Sequence, residues 1–305
     1  MKPDRLTVHL GRLTLSNSVM TASGTAGYGD GLARYGDLAS LGAFVTKGIS
    51  LHPRQGNPPP RVVETPAGML NAIGLANIGL DRFVSEKLPK LASMGVTVIA
   101  NIFAESMEEF GLLAGRLSET PGISALEVNI SCPNVSAGGM HFGQDPRCAA
   151  LVTQTVRESA PHLPLIVKLS PEAPQIKEVA QAVEAAGADA LCVMNTIRGL
   201  AIDIDTRRPR LANVFGGLSG PAIKPLALRF VHEVSRCVRI PVVGVGGISD
   251  WKDAAEFILA GASAVQVGTA LLSNPLAPFQ ILEGLRDWVD RSHGPLSLLI
   301  GSMKP

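Results

Sequence analysis

The chain has 305 residues, 46% hydrophobic and 17% charged, which is too apolar and too weakly charged for a disordered protein. Lysine plus arginine (27) nearly balance aspartate plus glutamate (26), and only 4% of residues are aromatic, so neither a basic field nor a base-stacking surface marks a nucleic-acid or membrane partner. The length allows two domains, but an α/β barrel uses ~250 residues as one, and one domain over residues 1–305 is expected.

Along the chain, Met1-Lys2-Pro3-Asp4-Arg5 is not followed by the apolar stretch of a signal peptide, so a reducing cytoplasm is the expected compartment. Residues 5–16 alternate around Gly11 and predict a small hairpin. Short β-rich runs then recur, each closing on a polar residue or glycine: Ser23, Lys47, Asn101, Asn129, Lys168, Asn195, Gly247 and Thr269. Helical patterns fall at 104–118, 145–160, 174–187, 222–238, 250–260 and 275–290. Asp250, followed by Asp253 and Ala254, reads as a helix start, and Gly187 and Gly261 read as C-caps. The longest uncharged apolar stretch, 257–272, is shorter than the ~20 residues a bilayer requires and reads as a helix end, a Gly-Ala turn and a strand.

Eight buried strands, most followed by a helix, predict an α/β fold: a (β/α)8 TIM barrel with an N-terminal hairpin. Three gaps between strand ends, 47 to 101, 129 to 168 and 195 to 246, exceed one βα unit. The first and last must hold insertions near 49–80 and 197–221, and the middle one contains the Gly-rich stretch 132–144. All three follow strand C-termini, the catalytic face of such a barrel. An open doubly wound sheet is disfavoured because no Gly-x-Gly-x-x-Gly follows the first strand.

In a barrel the strand ends point into the mouth. Polar residues terminate strands in any protein, and that accounts for one or two of these positions. It accounts poorly for three asparagines and two lysines, each closing an apolar run. A lysine in a dry mouth must face an anion or lose its charge. Gly244-Val-Gly-Gly-Ile248 and Val267-Gly-Thr269 suit a phosphate, since glycines let the backbone approach and successive N–H groups can line a nest, although two tight βα turns would look the same. Asparagine amides carry both a donor and an acceptor and match a planar edge of C=O and N–H groups, as in a pyrimidine or a flavin. Glu127 shares the face of Asn129 two residues deeper, which fits a buried polar partner of Lys168 better than a general base. No carboxylate closes a strand, and the six histidines fall in loops or helices, so no metal site is expected.

The four cysteines, Cys132, Cys148, Cys192 and Cys237, contain no Cys-x-x-Cys, which argues against a zinc ribbon or an iron–sulfur cluster held by this chain alone. Three of them fit the small buried hydrophobe that cysteine usually is. Cys132 does not. It lies three residues past Asn129, ahead of Pro133, in a polar loop at the mouth, where a thiol can close over a ligand and take a proton.

The segments ASGT (22–25), VTKGIS (45–50), GNPPPRVVETPAGMLNAIGLANIGLD (56–81), EVNISCPNV (127–135), NTIRGLAIDIDTRRP (195–209), GGLSGPAIKP (216–225), GVGGI (244–248) and QVGTA (266–270) closely resemble dihydroorotate dehydrogenases, in order and over essentially the whole chain. The loop 134–145 resembles the catalytic subunit of the NAD-linked class (class IB) more than the fumarate-linked class. The quinone-linked membrane class, with its N-terminal helical extension and serine base, is disfavoured. The resemblance implies FMN contacts at Ser23, Lys47, Gly48, Asn101, Asn129, Lys168, Met194, Gly220, Gly246, Gly247, Gly268 and Thr269. It implies dihydroorotate or orotate contacts at Lys47, Asn71, Ala72, Ile73, Gly74, Leu75, Asn129, Asn195 and Thr196, with Cys132 as the base. It further implies a homodimer of this chain, joined by an electron-transfer subunit carrying FAD and a [2Fe–2S] cluster into a heterotetramer. Competing readings are a fumarate-linked homodimer, a non-redox phosphate-binding lyase or isomerase, and a catalytically silent scaffold.

Overall fold

The computed structural model describes residues 5–131 and 142–304. Eight strands form one parallel sheet: β1 Val19–Thr21, β2 Phe44–Val45, β3 Val98–Ile102, β4 Ala125–Asn129, β5 Leu165–Lys168, β6 Ala190–Val193, β7 Val242–Val245 and β8 Ala264–Val267. Their order is β1-β8-β7-β6-β5-β4-β3-β2, and a parallel bridge from Met20 to Ala43 brings the two edges together, so the sheet curls into the expected barrel. The strands are nearly continuous apolar runs because both faces are covered, by helices outside and side chains inside.

The six helical patterns become Met107–Ser118, Pro146–Ser159, Ile176–Ala185, Lys224–Ser235, Trp251–Ala260 and Ala277–Arg291. Their starts are local chemistry. Ser106 and Asp145 accept from backbone N–H groups of the first turn, and Asp250 and Asp253 form a reciprocal capping box. The sequence reading misses the short helix Ala270–Ser273 and a longer helical segment from Leu80 to Ser93. In the longer one Leu80, Phe83, Leu88 and Leu91 are all buried, but a π-turn over Phe83–Lys87 stretches the middle interval and breaks the 3.6-residue rhythm.

The hairpin Val8–Leu10/Leu13–Leu15 turns its apolar residues into the core and points His9 and Thr14 outward, bonded to each other at 3.0 Å. His9 therefore lies in a strand, against the expectation that every histidine falls in a loop or helix. Cys148 and Cys192 are buried as expected, but Cys237 is only half-buried, in the turn after the helix that ends at Ser235. At the hairpin turn, Arg12 reaches Asp189 (3.0 Å) and the carbonyls of Pro161 and Leu163. Asp189 also takes bonds from Arg157 and from the N–H of Leu165, which opens β5. This ties the hairpin to the N-terminal ends of β5 and β6.

The two insertions meet each other. Strands Val62–Thr65 and Gly68–Asn71 from the first pair with Ile197–Leu200 and Phe215–Ser219 from the second in one antiparallel sheet. Gly217 stands opposite Asn71, and Val63, Leu70, Ala72 and Leu211 form a small core of their own. Among the described residues no helix is long and apolar enough to cross a membrane.

Candidate active site

A cavity of about 640 Å³ opens over the C-terminal ends of the barrel strands, roofed by the antiparallel sheet. Ser23 follows β1, Lys47 and Gly48 follow β2, and Asn101, Asn129 and Lys168 lie on β3, β4 and β5. Met194, Asn195 and Thr196 follow β6, Gly246 and Gly247 follow β7, and Gly268 and Thr269 follow β8. The insertions add Asn71, Ala72, Ile73, Gly74 and Leu75 from one and Gly220 from the other. Every site residue expected from the sequence lines this one cavity except Cys132, which lies outside the described residues; so does His141 of the same loop. Ser131, the neighbour of Cys132 in the chain, is at the cavity wall.

Lys168 forms the floor. Its side chain is 5% exposed, with Nζ 3.6 Å from Glu127 Oε1, 3.2 Å from Ser23 Oγ and 3.4 Å from Gln266 Oε1. Burial, the largest single influence, pushes its pKa down, but the charges of Glu127 and Cys192 and the hydrogen bond to Glu127 together outweigh it, so the ammonium titrates above the ordinary lysine value and stays charged. Glu127 is fully buried and is the polar partner of Lys168 that its position suggested. Lys47 is half-buried at the wall. Burial and the nearby Arg61 charge both lower its pKa.

The asparagines hold one another in place. Asn195 Nδ2 donates to Asn129 Oδ1 at 3.3 Å, the Ser131 N–H donates to the same oxygen, and Thr196 N donates to Asn195 Oδ1 at 2.8 Å. Asn71 Nδ2 donates to the Gly217 carbonyl at 3.2 Å. Gly217 is glycine for a steric reason: a Cβ there would lie 2.0 Å from Thr196 Oγ1. Across the wall, Gly74 (φ 70°) and Leu75 (φ 58°) are both left-handed. The carbonyls of Ala72, Ile73 and Leu75 accept from Asn57 Nδ2, Asn57 N and Asn77 Nδ2 respectively, so this stretch spends its acceptors on the protein side.

The opposite end is a glycine cradle. Gly246 (φ 131°) and Gly247 (φ 78°) turn away from β7, and a Cβ on Gly247 would lie 2.8 Å from Lys224 N and 2.9 Å from Gly220 O, both backbone atoms. Thr269 Oγ1 donates to Ser219 Oγ at 2.8 Å and joins the cradle to the roof.

Sequence reasoning missed Gln266, Ser219, Asn57 and Arg198, all of which line the cavity. Gln266 carried a signal: an amide in the middle of an otherwise apolar strand, on the same face as Gly268. Arg198, stacked on Phe215 at 4.3 Å, carried none beyond its charge.

Residues 5–289 match the sequence model of a family described as dihydroorotate dehydrogenase. The chain is 57% identical over 305 residues, the full length of both proteins, to the dihydroorotate dehydrogenase B (NAD(+)), catalytic subunit, of Trichlorobacter lovleyi. The proteins of that name from Pelobacter propionicus (56% over 306 residues, all of both chains) and Geobacter sulfurreducens (52% over 304 residues, 99% of each) are similarly alike.

Proposed function

The chain belongs to the dihydroorotate dehydrogenase family, and from that premise we propose that it is the catalytic subunit of an NAD-linked enzyme, with FMN held in the barrel mouth. It is a flavin-dependent oxidoreductase that oxidises (S)-dihydroorotate to orotate in pyrimidine biosynthesis. The NAD-linked relatives disfavour both a fumarate-linked homodimer and a non-redox lyase or isomerase. The whole chain acts as a single FMN-binding unit in the cytoplasm.

The residues present fit FMN. A phosphate suits the cradle of Gly220, Gly246, Gly247, Gly268 and Thr269, where side-chain-free turns bring backbone to the cavity. The flavin ring suits the stretch between Ser23, Lys47, Gly48, Asn101, Asn129, Lys168 and Met194. When bound, FMN supplies the acceptor for the hydride that leaves C6 of the substrate. Lys168 presents a fixed positive charge to the cofactor from below, and a preorganised cation in a dry site is worth far more than one in water. Asn71, Asn129, Asn195 and Thr196 offer paired donors and acceptors to the pyrimidine edges, and Lys47 faces the ligand from the wall. The N–H groups of Ile73, Gly74 and Leu75 take the substrate carboxylate, since the neighbouring carbonyls are turned to Asn57 and Asn77. Cys132 Sγ takes the proton from C5; Ser131 at the cavity wall supports that placement.

The partner is an electron-transfer subunit with FAD and a [2Fe–2S] cluster, assembled with a dimer of this chain into a heterotetramer. The observation that carries the reading is the convergence of a buried ammonium, the three strand-end asparagine amides and a glycine cradle in one cavity. The test is a spectrum of the purified chain. It is expected to be yellow with one FMN and to bleach on addition of dihydroorotate. Cys132→Ala keeps the colour and loses at least ~10² in bleaching rate, the lower range for a positioned base. A colourless chain that takes up no FMN refutes the reading.

A further inference from the structure

We propose that Glu127 is a positioning residue for the flavin reaction: one enclosed carboxylate that orders Asn101 and Gln266 and shares the Lys168 ammonium with the cofactor, so setting the charge the flavin meets. The inference rests on the reading that FMN lies over Lys168.

Glu127 sits mid-strand in β4, opposite Asn101 on β3 and Ile166 on β5, one layer below the mouth. It accepts from Asn101 Nδ2 at 2.7 Å through Oε1 and from Gln266 Nε2 through Oε2. A carboxylate only accepts, so this bond fixes the Gln266 amide with its nitrogen toward Glu127. Its oxygen then faces Lys168 Nζ at 3.4 Å and Cys192 Sγ at 3.5 Å. Asn101, Lys168 and Gln266 line the cavity and Glu127 does not, so Glu127 reaches a ligand only through the three side chains it holds.

The Lys168–Glu127 separation of 3.6 Å is looser than a tight ion pair, and Ser23 Oγ at the wall is nearer to Nζ at 3.2 Å. The ammonium is thus suspended between the carboxylate and the cavity. At rest the pair is neutral overall. A bound flavin that accepts a hydride gains two electrons and one proton, and so one negative charge; Lys168 then serves two anions. Glu127 opposes that build-up of charge while keeping the cation in place and charged beforehand. Its removal therefore favours the reduced cofactor.

The experiment uses the full chain loaded with FMN and measures the two-electron midpoint potential by equilibration with reference dyes. Glu127→Gln is expected to keep one FMN and to move the potential upward. A tenfold gain for the reduced over the oxidised form corresponds to about 30 mV. Glu127→Asp, which keeps the charge, stays near the wild-type value. Should Glu127→Gln fail to fold or to hold flavin, the double variant Glu127→Gln/Lys168→Met, which has no lone buried charge, is compared with Lys168→Met. The proposal requires the double variant to have the higher potential. Unchanged potentials with flavin fully bound overturn it. A wild-type chain that binds no FMN refutes instead the reading on which it rests.

Discussion

Lys168 holds a charge at a place water scarcely reaches, and this gives it a different weight from Lys47 at the wall. Lys168→Met is expected to slow flavin reduction by ~10²–10³, about 2.7–4 kcal/mol in the transition state, with the glycine cradle left intact. The same substitution leaves Glu127 buried without its cation, a loss of roughly 3–5 kcal/mol in stability, so the rate must be read by stopped flow on flavin-loaded protein. Equal loss of flavin affinity and reduction rate would show that Lys168 only holds the cofactor. Lys168, Asn101, Asn129 and Asn195 were legible in the sequence because each ends an apolar run, where a polar side chain has to be accounted for. Gln266 was not, because one amide inside such a run looks like a tolerated exception until Glu127 and Lys168 are seen on either side of it.

Elements differ in how far their chemistry is local. The capping box at Asp250 and the eight strands follow from near neighbours in the chain. The pairing of Gly217 with Asn71 does not, since the two insertions are far apart in sequence and their strands are short. The helical segment from Leu80 to Ser93 was hidden by its π-turn. The turn after β7 is the element most sensitive to a single atom. Gly247→Ala puts a Cβ against the backbone of Lys224 and Gly220 in a left-handed conformation, so the cradle must open. FMN dissociation is expected to rise at least ~10-fold, about 1.4 kcal/mol, by fluorescence titration, with the circular dichroism spectrum unchanged. Unaltered affinity would place the phosphate elsewhere. At the other end of the barrel, burial raises the pKa of Asp189, but the bonds from Arg12 and Leu165 and the charges of Arg157 and Arg12 outweigh it and hold the carboxyl below the usual range. A carboxyl whose pKa is depressed by folding stabilises the fold above its unfolded pKa of ~3.9, and that contribution is lost as pH falls through the folded value. Asp189→Asn should therefore cost about 2 kcal/mol at neutral pH, a melting shift of roughly 4 °C, and progressively less in acid below about pH 4. A melting difference that does not shrink there would mean that the Asp189 charge is not what binds the hairpin to the barrel.

At the scale of the whole molecule the question is where the electrons go. The strand-end cavity is walled by the residues assigned to FMN and pyrimidine, so a nicotinamide has no place to stack on the flavin while substrate is bound. The sequence contains no Gly-x-Gly-x-x-Gly after a first strand and no Cys-x-x-Cys, the motifs by which a chain most often holds a dinucleotide or an iron–sulfur cluster. The relatives' designation as catalytic subunits implies a separate partner, and on the function proposed above a flavin reduced inside this barrel passes its electrons to it. The purified chain is expected to reduce a synthetic dye with dihydroorotate but to form almost no NADH. Adding the electron-transfer subunit should restore NADH formation, in proportion to the amount bound, until the two subunits are equimolar. The measurement is NADH absorbance against added partner, with dye reduction by the chain alone as the control. Rapid NADH formation without the partner would mean that nicotinamide reaches the flavin through the barrel mouth itself, and the walls assigned to the pyrimidine would then have to be reassigned to an alternating site.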